Sequence, residues 1–166
     1  MLVISDTTPI ISLLKINRID LLKTLYEEVF VPKAVYDELT SNALFDEEAT
    51  IVTQADFLNV IEVKDRLLVE NILMWSGLDL GESEAIACYK QINADLLLID
   101  EKRGRSVARE KGLNIIGTIG ILLDAYQSKT ITKEEALSYA TILRDTNRRI
   151  SNSLYDAFVL KLDEID

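Results

Sequence analysis

DLLLID, residues 95–100, sets the frame in which the rest of the chain is read. Residues 96–99 are aliphatic at every position rather than at alternate ones, the pattern of a strand covered on both faces. Asp100 closes the run and Glu101 follows it. LVISD, residues 2–6, has the same form and ends on Asp6. EVFV at 28–31 and LNIIG at 113–117 read as further core strands, and LNVIEV at 58–63 as a peripheral one. Helical patterns fall near 18–26, 46–56, 65–75, 81–92, 102–111, 119–128, 132–145 and 153–163. The two prolines mark helix starts: Pro9 makes Thr8 an N-cap of a helix to about Ile16, and Pro32 opens a helix to about Thr40. Strands alternating with helices predict an α/β fold, three-layered α/β/α, around a central parallel sheet.

The 166 residues contain no repeat, low-complexity tract or Pro/Gly/Ser-rich linker, so a single domain over residues 1–166 is expected. The apolar runs are too short to span a bilayer, and Met1 leads straight into a core strand without the pattern of a signal peptide. A cytoplasmic protein with no membrane attachment is expected. Histidine is absent, which removes Ser-His-Asp and Cys-His pairs, histidine general bases and most zinc hydrolase sites. Cys88 is the one cysteine; on a helical pattern in AIACYK it reads as a small buried hydrophobe. Any hydrolysis must therefore run on carboxylates, a lysine or a metal-activated water.

Four acids carry the candidate chemistry. Asp6 and Asp100 end strands, and acids at the carboxyl ends of parallel strands face the crevice where open α/β sheets bind ligands. With Thr8 as the cap, Asp6 is left on the strand end, with Thr7 and Thr8 supplying hydroxyls beside it. Glu38 shares a helix face with Ala34 and Val35, at the edge of the apolar stripe; a surface glutamate is the plainer alternative. Glu82 lies at helical spacing with Ala85, Ile86 and Tyr89, on the buried face. It also fits a capping box with Asp79 as the cap. Glu84 faces away and is the weaker candidate. Carboxylates that converge repel one another, so such a cluster points to a bound divalent cation, and oxygen-only ligands favour Mg²⁺ or Mn²⁺.

The formal charge of −10 opposes non-specific binding to phosphate backbones. Basic residues are nonetheless bunched at Lys102, Arg103, Arg105, Arg109 and Lys111, and again at Arg144, Arg148 and Arg149. The first group is either a rim for nucleic acid or a solvated helix face.

VISDTTPII, VPKAVYDEL, LDLGESEAIA, LLLIDEKRGR and GTIGIL occur in the order and spacing of PIN-domain proteins. The chain resembles most a prokaryotic branch of PIN-like proteins, some of them toxins of toxin–antitoxin pairs. The likeness is strong over about residues 2–128. It implies a metal-dependent ribonuclease in which Asp6, Glu38, Glu82 and Asp100 are catalytic and, with Glu101, hold Mg²⁺ or Mn²⁺. Glu82 stands where the family often has aspartate, and Asp100-Glu101 stands for two aspartates. RNA is the implied substrate, an antitoxin protein a possible partner, and a homodimer the common assembly.

In this reading the metal lowers the pKa of a bound water for in-line attack on a phosphodiester. Thr8 or Thr118 orients water or phosphate, and Lys102, Arg103 and Arg105 bind flanking phosphates. A non-catalytic interaction protein of the same shape is the second reading. A phosphoacceptor receiver is the third, opposed by the single acid in SDTT where a receiver normally needs a pair.

Overall fold

The computed structural model describes residues 1–41, 46–147 and 150–165. The strands are β1 (Val3–Ser5), β2 (Val29–Pro32), β3 (Leu58–Ile61), β4 (Leu96–Leu98) and β5 (Ile115–Ile116). The first six helices are α1 (Thr7–Lys15), α2 (Asp20–Tyr26), α3 (Lys33–Thr40), α4 (Asp46–Gln54), α5 (Arg66–Ser76) and α6 (Leu80–Gln91). Then come α7 (Lys102–Glu110), α8 (Thr118–Gln127), α9 (Lys133–Asn147) and α10 (Asn152–Ile165).

All strand pairs are parallel, in the order β3-β2-β1-β4-β5. The chain builds outward from β1 to β3 and then returns to set β4 against the free side of β1, with Ile4 opposite Leu97. That return is a topological switch point, and the crevice it opens lies beyond the carboxyl ends of β1 and β4. Asp6 follows one of these strands; Asp100 and Glu101 follow the other.

Side chains alternate across the sheet, so each apolar run feeds two cores. Val3, Leu96 and Leu98 join Leu13, Leu22, Leu122 and Phe158 on one face. Ile4, Leu97 and Ile99 join Ile72, Ile86 and Val107 on the other. This is the α/β/α layering expected from the unbroken aliphatic runs. Cys88 is fully buried, and burial pushes its thiol up to about 12, as befits a packing residue. Among the described residues no helix is long and apolar enough to cross a membrane.

Several boundaries shift by one or two residues, and two of the shifts lie at the crevice. α1 starts at Thr7, so Thr8 lies inside the first turn and Pro9 is the third helical residue. The first turn's N–H groups have no acceptor within the helix, so a proline there sacrifices no hydrogen bond. β5 is two residues long, Ile115–Ile116, instead of the expected 113–117, and α8 starts two residues after it, at Thr118. Arg148 and Arg149 of the second basic group lie outside the described residues.

Candidate active site

Asp6 extends β1 past its last assigned residue, and its N–H donates to the Leu98 carbonyl at 3.0 Å. The backbone is thus still locked to β4 where the side chain enters the crevice. Asp6 occupies the N-cap position of α1 with extended backbone, yet its carboxylate makes no capping hydrogen bond. It is 3% exposed. Burial pushes its carboxyl up to about 8, with the charges of Glu82, Asp79 and Glu38 adding to the rise and the Thr7 N–H opposing it. Four acids from β1, α3 and the start of α6 therefore share one electrostatic site.

Each neighbour is placed by its own element. Glu38 projects from the last turn of α3, and its Oε2 accepts from Thr7 Oγ1 at 2.8 Å. This ties α3 to α1. Gly81 helps α6 approach α3: a Cβ there would stand 3.3 Å from Val35 Cγ2. Glu82 is buried and forms the anticipated capping box, its N–H donating to Asp79 Oδ1 at 2.8 Å while its Oε2 accepts from the Asp79 N–H at 3.2 Å. Burial raises the Glu82 pKa, Asp79 and Glu101 add to the rise, and Arg103 counters it. Gly104 makes room for Glu82, since a Cβ there would come within 2.6 Å of Glu82 Oε1 and of Ile99 Cδ1.

The two acids after β4 part company. Asp100 accepts from the Thr118 N–H at 2.7 Å and from Thr118 Oγ1 at 2.6 Å, fastening the start of α8 to β4. Glu101 is exposed and acts on Glu82. Thr118 is thereby committed to Asp100, and Thr8 is buried in α1. Lys102 and Arg103 are exposed at the start of α7. Arg105 is half-buried and donates from Nη1 to the Ile99 carbonyl at 2.8 Å. Burial, then the neighbouring Arg109, lower its pKa, and Asp100 opposes them. Arg105 and Asp100 also line a cavity of about 300 Å³ with Ile115, Ile116, Ile119 and Leu154.

Glu84 does not face solvent as expected. It is buried, accepts from the Ala34 N–H at 3.0 Å and pairs with Arg66, joining α6 to α3 and α5. α6 is buried at every position from Gly81 to Cys88, so it has no polar side to which Glu84 could turn. Asp79 was read from the sequence only as a cap, and the structure adds it to the acids acting on Asp6. Its place three residues before Glu82, at the same helix end, was the available signal.

Among the described residues, no three His, Cys, Asp or Glu side chains form a group that could hold a metal ion as they stand. The chemistry of the donors nonetheless suits a hard divalent cation. They are carboxylates, and burial and mutual repulsion hold Asp6 and Glu82 above their ordinary range, a cost that a bound positive charge removes.

The family described as DUF3368, a PIN domain, matches the chain over residues 2–164. No curated protein matches it. No solved structure matches it either.

Proposed function

Because the chain belongs to the PIN-domain family, whose members are generally divalent-metal-dependent nucleases, we propose that it is a metal-dependent ribonuclease. The observation that carries the reading is Asp6, an acid 3% exposed at the switch point, with its carboxyl raised by burial and by three other acids. Asp6, Glu38, Glu82 and Glu101 would hold Mg²⁺ or Mn²⁺, with Asp100 bracing the strand end behind them. When bound, the metal supplies Lewis acidity and lowers the pKa of a water for attack on the phosphodiester. Thr7 holds Glu38 toward the site, Asp79 fixes Glu82, and Arg103 and Lys102 offer cations to phosphates at its edge. RNA as the substrate, and a role as the toxin of a toxin–antitoxin pair, rest on the likeness in motif order.

Purified protein incubated with RNA and Mn²⁺ or Mg²⁺ should cleave it, with cleavage abolished by EDTA and lowered at least about a hundredfold in Asp6→Asn, as for loss of a transition-state charge partner. Equal cleavage in EDTA would remove the metal from the mechanism. Induced expression should halt growth, and Asp6→Asn should restore it. A second reading, a non-catalytic PIN-shaped interaction protein, is favoured by the structural duties of Glu82 in its capping box and Asp100 on α8. No cleavage of several RNAs with either metal would support it.

A further inference from the structure

Trp75, the chain's one tryptophan, lies at the end of α5 and is 54% exposed. Lys111, which caps the far end of α7, places Nζ over the indole at 4.7 Å from the ring centroid. Two residues beyond Trp75 the chain turns at Gly77 (φ +66), and the Arg103 guanidinium lies against that turn. A Cβ on Gly77 would stand 2.8 Å from Arg103 Nη2. Arg103 in turn acts on Glu82 in the acidic crevice. A track therefore leads out of the crevice from Glu82 to Arg103, along the Gly77 turn to Trp75, and on to Lys111.

Cations interleaved with an exposed aromatic face are the elements with which proteins hold single strands: charges meet the phosphates and a base stacks on the ring. The setting is selective. The chain carries a net charge of −10, yet α7 and its cap bring together Lys102, Arg103, Arg105, Arg109 and Lys111. Leu67 and Met74 are also exposed on α5, but an apolar protein partner gives no reason for the two cations at Trp75 and Gly77. A polyanion with stacking bases does.

We propose that Trp75 is a stacking platform for a base of single-stranded RNA where the strand leaves the acidic crevice, with Arg103 and Lys111 binding adjoining phosphates. This rests on the ribonuclease reading above and adds to it a residue outside the acidic crevice that holds an unstacked base.

The test is binding by the full chain in EDTA at low salt, where no metal-dependent cleavage intervenes. A short unstructured RNA should quench the fluorescence of Trp75 saturably, and a duplex of equal length should quench it far less. In anisotropy with labelled RNA, Trp75→Ala should weaken affinity about tenfold without changing the salt dependence, while Trp75→Phe keeps most of the affinity. Lys111→Ala should weaken affinity and lower the salt slope by roughly 0.7 of a unit, the value for one contact on a single strand. Melts of the Trp75 variants should show them folded at the temperature of the binding assay. RNA binding with no quenching and full affinity in Trp75→Ala would overturn the platform and leave the ribonuclease reading intact. Tryptophan fluorescence that follows protein concentration and ignores RNA would also overturn it, in favour of a protein interface. Failure to bind RNA together with failure to cleave it in Mn²⁺ would overturn both.

Discussion

Asp6 and Asp100 both end strands, but the side chains around them give them different work. Asp6 is buried among acids, and its folded pKa, about 8, stands far above the ordinary 3.8. Below about pH 4 both folded and unfolded chains hold this proton. Between about 4 and 8 the unfolded chain releases it and the folded chain retains it, so the metal-free fold loses stability as pH rises. Above about 8 the loss levels off. Asp6→Asn removes this slope, so in EDTA its melting temperature should exceed that of the wild type by a margin that grows from pH 5 to pH 8. A constant or reversed margin would mean that Asp6 is an ordinary structural aspartate. Gly104→Ala makes a second residue-scale test. The added Cβ meets the flexible ends of Glu82 and Ile99 at 2.6 Å, while alanine favours a helix by about 1 kcal/mol. Stability should change by no more than about 1 kcal/mol while RNA cleavage falls at least about tenfold, because Glu82 is displaced. The split between Asp100 and Glu101 was not legible in the sequence: adjacent acids after a strand look alike until Thr118, eighteen residues on, claims one of them.

Most elements were legible because both strand and helix patterns were strong. The aliphatic runs of β1 and β4 announced a sheet covered on both faces, and the acids after them marked the crevice. α6 misled in one respect. It is packed between α3 and α5, so polar residues on either side of it are buried, and Glu84 became a strut instead of a solvated neighbour. Arg105 was similarly drawn inward, because the Ile99 carbonyl beyond β4 takes its guanidinium. The start of α1 was missed because proline is tolerated throughout the first turn, leaving Thr8 without a cap to make. The join between β4 and α8 yields an element-scale prediction. Asp100→Ala removes both acceptors of Thr118 and should cost about 2 kcal/mol in denaturant unfolding, with a smaller loss in Thr118→Val, which keeps the backbone bond. If Asp100→Ala is neutral in stability, α8 is held by other contacts.

At the scale of the molecule, the proposed ribonuclease would meet a polyanion with an acidic chain, and so through a small part of its surface. In that reading α7 is the part, since it gathers cations and starts where the acidic crevice ends. Three cations on single-stranded RNA, Lys102, Arg103 and Lys111, give log affinity a slope of about −2 against log salt. A slope near zero would place RNA elsewhere, and a much steeper one would require a wider basic surface than α7 offers. What unites fold and chemistry is the return of β4 to the side of β1, which brings acids from distant parts of the sequence into one low-dielectric site. Calorimetric titration of the metal-free protein with Mn²⁺ reads that site directly. The wild type should bind Mn²⁺, Asp6→Asn should bind it at least about tenfold more weakly for loss of a charged ligand, and Asp100→Asn should stay within a few-fold of the wild type. If the wild type takes up no Mn²⁺, or Asp6→Asn binds it equally well, the acids at the β1/β4 crevice are not a metal site.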